Sequence, residues 1–67
     1  MKITTAINKL EKNGFTVTDN LGTFLATNGV IEIMFNTLNG KTNGSFHSSW
    51  IKNGNTTSFK SLSSAIG

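Results

Sequence analysis

Asparagine–glycine pairs divide this chain into short segments. Five of its seven glycines follow an asparagine, at Asn13-Gly14, Asn28-Gly29, Asn39-Gly40, Asn43-Gly44 and Asn53-Gly54. Asn and Gly adopt positive φ at the lowest energetic cost, so each pair is typical of a tight turn or a helix end. The segments between the pairs carry five phenylalanines, Phe15, Phe24, Phe35, Phe46 and Phe59. This pattern predicts short helices and strands around an aromatic core.

Length and composition limit the chain to one small domain. Its 67 residues leave room for a single core, so we expect one domain, residues 1–67. The absence of cysteine excludes disulfides and thiolate metal sites. Apolar residues make up 36% of the chain and recur periodically, which indicates a folded protein.

Targeting signals are not visible in the sequence. The first ten residues lack the apolar stretch of a signal peptide, and no apolar run approaches the roughly 18 residues of a membrane span. We therefore expect a cytoplasmic protein without a membrane partner.

The net charge of +3 is unevenly distributed. Lysines and carboxylates balance in residues 1–33, whereas residues 34–67 contain Lys41, Lys52 and Lys60 and no carboxylate. A basic half favours acidic partners. The chain has no arginine, the usual bidentate ligand of phosphate and guanine.

The first segment has the apolar period of an amphipathic helix, with one face formed by Ile3, Ala6, Ile7 and Leu10. Thr4 or Thr5 is expected to cap its start, and Gly14 is expected to end it. Phe15 would then fold back on Leu10, which is the hydrophobic contact expected of a glycine-terminated helix.

Alternating apolar and polar residues predict four strands, at residues 15–19, 23–27, 30–36 and 45–52. Ile31, Ile33 and Phe35 share one face of the third strand and are expected to face Ile7 and Leu10 of the helix. Residues 37–44 are predicted to form a loop.

A short helix is predicted to close the chain. Thr57 or Ser58 would cap it, and Phe59, Leu62 and Ile66 would form its apolar face. The predicted fold is therefore α+β in the order α-β-β-β-β-α, an antiparallel four-strand meander with both helices packed on one face.

The residues that could support catalysis are few. His47 lies between Ser45 and Ser49 on a predicted strand. Residues two apart on a strand stand about 6–7 Å apart and side by side, which is a poor geometry for proton transfer. Asp19 is the single aspartate available to orient the ring. We therefore expect no enzymatic activity and no catalytic residue.

A metal site is not expected either. The candidate ligands are Glu11, Asp19, Glu32 and His47, and they neither include several histidines nor form a carboxylate cluster. We also expect no cofactor, because the loop at 39–44 lacks the spacing of a phosphate-binding loop.

One sheet face is a candidate binding surface. Phe46 and Trp50 are expected to face the helices as core residues. The opposite face would then present five candidate partner-binding residues, Glu32, Met34, His47, Ser49 and Ile51. This face would bind a protein partner or a second copy of the chain. In the alternative, its apolar residues are single exposed side chains that need no partner.

The two ends of the chain resemble those of short uncharacterised bacteriophage proteins. The resemblance lies in the opening ITTAINKLEKNGF and the closing FKSLSSAIG. It implies a small accessory protein, of the class that includes inhibitors of host enzymes or defence complexes, in the cytoplasm of an infected cell.

The predicted order of elements is also similar to double-stranded-RNA-binding domains. Those domains place a cluster of lysines at the start of their last helix. Here the corresponding segment, Ser58-Phe59-Lys60-Ser61, has one lysine. Protein binding is therefore the leading hypothesis, and nucleic-acid binding through Lys41, Lys52 and Lys60 is the alternative.

Overall fold

The computed structural model describes all 67 residues, which form two helices and an antiparallel sheet of six strands. The elements are α1 (Ile3–Lys12), β1 (Thr16–Asn20), β2 (Thr23–Thr27), β3 (Ile31–Leu38), β4 (Lys41–Thr42), β5 (Phe46–Trp50), β6 (Thr56–Phe59) and α2 (Leu62–Ile66). The strand order is β1-β2-β3-β5-β6, and β4 pairs with the end of β3. The prediction of an α+β fold is confirmed. Neither helix is long and apolar enough to cross a membrane.

The sheet has two strands more than the sequence predicted. The four predicted strands correspond to β1, β2, β3 and β5 within two residues at each end. The additional β4 lies in the predicted loop at 37–44, where it extends the hairpin from the end of β3.

The second additional strand, β6, replaces the predicted start of the closing helix. Phe59 pairs with Phe46 of β5 instead of lying on a helix, and Thr57 and Ser58 are strand residues. The cap is Ser61, whose side chain accepts a hydrogen bond from the Ser64 N–H. The prediction was wrong here because threonine and phenylalanine favour strands once a neighbouring strand offers hydrogen bonds.

Helix α1 ends as predicted. The Gly14 N–H donates to the Glu11 carbonyl and the Phe15 N–H to the Leu10 carbonyl. Gly14 has a φ of +85°, which only glycine adopts without strain. These bonds form a Schellman motif, with Phe15 and Leu10 both buried in the core.

The start of α1 differs from the prediction. Lys2 occupies the N-cap position without a side-chain hydrogen bond, so neither Thr4 nor Thr5 caps the helix. Instead, the Ile3 N–H donates to the Gly40 carbonyl in the β3–β4 turn at 3.2 Å. A tertiary contact thus satisfies one of the free donors at the helix start.

The core is a single cluster of nine buried residues, Ala6, Leu10, Phe15, Ala26, Ile33, Phe35, Phe46, Leu62 and Ala65. Both helices contribute to it. Phe35 lies among aromatic neighbours, with its ring centroid 5.5 Å from that of Phe24 and 5.4 Å from that of Phe46. The predicted inward position of Ile7 is wrong, since Ile7 is half-buried and lies outside this cluster.

Two of the hairpins use two-residue turns with both central residues at positive φ. The β3–β4 turn has Asn39 at +54° followed by Gly40, as such turns favour. The β1–β2 turn has Leu21 at +53° followed by Gly22. Leu21 is fully exposed, so packing does not offset the strain on its backbone.

We expect Phe35→Ala to lower the free energy of unfolding by roughly 3–5 kcal/mol, because it opens a cavity between two aromatic rings. Urea denaturation followed by circular dichroism measures this change. Leu38→Ala, at an exposed position, is the control and should change stability by about 0.5 kcal/mol or less. An unchanged melting temperature for Phe35→Ala would contradict this assignment of the core.

Replacing Leu21 with Asn should stabilise the protein by about 1 kcal/mol, because Asn tolerates the left-handed conformation that strains leucine. The reciprocal change, Asn39→Leu, should destabilise it by a similar amount. Thermal unfolding of both variants tests the pair. A lower melting temperature for Leu21→Asn would show that the leucine side chain contributes contacts that outweigh the strain.

Candidate functional site

Strand register assigns residues to the two faces of the sheet, because directly paired residues share a face. The face opposite the core is called the open face. None of its residues is buried, and they are Thr16, Thr18, Asn20, Thr23, Leu25, Thr27, Glu32, Met34, Asn36, His47, Ser49, Thr56 and Ser58. Hydroxyl groups dominate this surface, and Leu25 and Met34 form a paired apolar centre.

Four of the five predicted partner-binding residues lie together on the open face. Met34 of β3 pairs with His47 of β5, and Glu32, two residues before Met34 on β3, pairs with Ser49 of β5. The fifth, Ile51, is not on this face. It lies in the turn after β5, where its N–H donates to the Val30 carbonyl at 3.0 Å. Its predicted placement on the sheet face was wrong because β5 ends at Trp50, the residue before Ile51.

The hydroxyl groups of β6 bond to the side chains of β5. His47 Nδ1 lies 3.0 Å from Ser58 Oγ, and Ser49 Oγ lies 2.8 Å from Thr56 Oγ1. Asp19 is on β1 at the far edge of the sheet, where it accepts a hydrogen bond from the Gly22 N–H. The histidine therefore has a serine neighbour, and the single aspartate of the chain lies three strands away.

Potential metal ligands are dispersed over the structure. No group of three or more histidine, aspartate or glutamate side chains lies close enough together to hold a metal ion.

Trp50 is exposed, in contrast to its predicted place in the core. Phe46, on the same face of β5, is buried, whereas Trp50 retains 54% of its accessible surface. The difference follows from length: the five residues of α2 span only about 7 Å, too little to cover the end of β5 as well as its start.

Two other large apolar side chains are exposed at the same end of the sheet as Trp50. Val30 and Ile51 are 53% and 51% exposed, and a backbone hydrogen bond joins their two segments. We call Val30, Trp50 and Ile51 the Trp50 patch. Sequence alternation predicted a binding role for Ile51 but could not identify the exposure of Trp50, because alternation assigns faces but not how far a helix extends over them.

A shallow cleft connects the Trp50 patch to the open face. Its lining residues are Glu32, Ser49, Trp50, Ile51 and Gly54. Because Glu32 and Ser49 of the open face line it together with Trp50 and Ile51 of the patch, the two surfaces adjoin each other.

The three lysines of the basic half do not form a strip. Lys41 pairs with Leu38 at the end of β3, whereas Lys52 follows Trp50, which pairs with Ile31 at the start of β3. The length of β3 therefore separates Lys41 from Lys52 by roughly 23 Å. Lys52 precedes β6 and Lys60 follows its last residue, so the length of β6 lies between these two lysines.

Comparison with known protein families, curated proteins and solved structures finds no match to this chain.

The exposure of Trp50 can be tested by fluorescence, since it is the single tryptophan of the chain. We expect acrylamide to quench emission of the folded protein efficiently, at more than half the rate found in denaturant. Trp50→Phe should abolish the signal and leave the melting temperature within a few degrees. Strong protection from quenching in the folded protein would instead place the indole in the core.

Proposed function

We propose that this protein is a small protein-binding module. Its binding surface would comprise the Trp50 patch together with Glu32, Met34, His47 and Ser49 of the open face. The observation that carries the proposal is the exposure of three large apolar side chains at one end of the sheet. Exposed apolar clusters rimmed by polar residues are typical of interaction sites.

The composition of this surface fits the anatomy of a protein interface. Tryptophan is among the residues that contribute most to binding free energy. Met34 adapts its shape to a partner, and Glu32 and His47 provide polar groups at the rim.

The proposal takes both helices to pack on one face of the sheet, leaving the other for binding. Ala6 and Leu10 of α1 and Leu62 of α2 share one core cluster, and Lys9 of α1 donates a hydrogen bond to Ser63 of α2. These contacts support side-by-side helices. In this arrangement β1, β2, β3 and β5 are the predicted four-strand meander, which β4 and β6 extend.

The resemblance of the chain ends to bacteriophage proteins supports a more specific role. We propose an accessory protein that binds, and thereby inhibits, a host enzyme or defence complex in the cytoplasm of an infected cell. A second copy of the chain is the alternative partner. Nucleic-acid binding has less support, because the separation of Lys41 from Lys52 provides no continuous basic strip.

Two variants test this surface. Trp50→Ala, and Met34→Ser combined with Ile51→Ser, should fold normally because the three side chains are exposed. Each should weaken partner binding by about 2 kcal/mol, the effect typical of a dominant interface residue. The measurement compares proteins retained from a nuclease-treated bacterial lysate by immobilised wild-type and variant protein, with sedimentation to detect a homodimer.

Leu38→Ser is the matched control, because Leu38 is also a large exposed apolar residue but lies at the other end of β3 from the Trp50 patch. It should leave binding unchanged. If nuclease treatment removes all retained material, nucleic-acid binding replaces this proposal. If Trp50→Ala and the Met34→Ser, Ile51→Ser double variant bind the partner as tightly as Leu38→Ser does, the binding surface is assigned wrongly.

A further inference from the structure

Strand β6 forms one of the two edges of the sheet. It is last in the strand order, and its sequence, Thr-Thr-Ser-Phe, contains neither a charged residue nor proline. Native proteins commonly use such residues, or a bulge, to protect edges from added strands. The first three residues of β6 are exposed.

The register of β6 shows which backbone groups point away from the sheet. The Trp50 N–H donates to the Asn55 carbonyl at 3.2 Å, so hydrogen-bonded pairs alternate from that position along β5 and β6. Thr57 and Phe59 therefore bond to β5. Thr56 and Ser58 direct their N–H and carbonyl groups outward, at the spacing that an added antiparallel or parallel strand requires.

An apolar cleft lies beside this edge on the core side of the sheet. Its lining includes Trp50, Phe59 and Ile66, the last from α2. In an added strand, a side chain opposite Thr57 or Phe59 would share their face and lie next to this cleft. The cleft therefore favours an apolar residue at alternate positions of the added strand.

Charge selects the kind of chain that can pair here. Lys52 precedes β6 and Lys60 follows it, and residues 34–67 contain no carboxylate. The carboxylate in the same row as Thr56 is Glu32, which lies two strands away on β3. A second copy of the chain would bring like charges to both ends of the pairing. An acidic segment would bring opposite charges, which favours it.

We infer that β6 binds an extended acidic segment of a partner protein as a seventh strand, with an apolar side chain in the cleft beside α2. This binding mode, β-strand addition, gains affinity from backbone hydrogen bonds and specificity from alternate side-chain pockets. The inference rests on the proposed protein-binding function and identifies the chemistry of the partner.

The test uses a displayed library of random twelve-residue peptides, selected on the folded 67-residue chain. Recovered peptides should be rich in aspartate and glutamate, with apolar residues at alternate positions. Their affinity should fall about tenfold for Thr56→Pro, since proline removes an outward N–H and obstructs the added strand. The bonds to β5 do not use this N–H, so the variant should fold.

Thr56→Ser is the matched control, because it changes the side chain but keeps the outward N–H. It should bind recovered peptides with wild-type affinity. Lys60→Gln should lower the affinity for the recovered peptides about fivefold at low salt and by less at high salt, as expected for an exposed charge pair.

Amide hydrogen exchange on the wild-type chain provides a second measurement that needs no variant. In the free protein the amides of Thr56 and Ser58 should exchange much faster than that of Thr57. A recovered peptide should protect both. Continued fast exchange in the complex would overturn the inference.

The outcomes separate this inference from the proposed function. Peptides that bind Thr56→Pro normally but not Trp50→Ala would refute strand addition while supporting the Trp50 patch as the binding site. Strand addition would also be refuted if none of the recovered acidic peptides lost affinity for Thr56→Pro. A homodimer seen by sedimentation and abolished by Thr56→Pro would refute it too, because β6 would then pair with a second copy of the chain.

Discussion

The packing of three phenylalanine rings across the sheet is the interaction on which the rest of the structure depends. Phe24, Phe35 and Phe46 belong to three neighbouring strands, and Phe35 contacts the rings on both sides. This stack provides the apolar surface against which Leu10 of α1 and Leu62 of α2 are buried. In a domain with nine buried residues there is little other apolar area to compensate for its loss.

A core this small leaves part of the sheet uncovered. The second helix is too short to reach the end of β5, so Trp50 remains exposed with Val30 and Ile51. The same shortness leaves the cleft beside β6 open. That cleft lies where the closing helix ends, since Ile66 and Gly67 line it together with Trp50 and Phe59.

Local rules predicted much of this fold. The Schellman end of α1 depends on Gly14 and on an apolar residue at Phe15, both within five residues of the bonds they form. Strands β1, β2, β3 and β5 follow from alternation between turn residues. The placement of Glu32, Met34, His47 and Ser49 on one face of the sheet follows as well, because alternation assigns the face of each strand residue. These features need no knowledge of distant contacts.

The sequence by itself determined the turns, the first helix, the α+β class and four residues of the candidate surface. Only the tertiary structure decided that residues 56–59 form a strand and not part of a helix, how the start of α1 is capped, and that Trp50 is exposed. The segment 56–59 became a strand because β5 offered it a row of hydrogen bonds, and Ile3 found its acceptor in Gly40, far away in sequence. The exposure of Trp50 depends on where α2 ends above the sheet. Such outcomes depend on which distant groups meet in space, and periodicity along one segment carries no information about that.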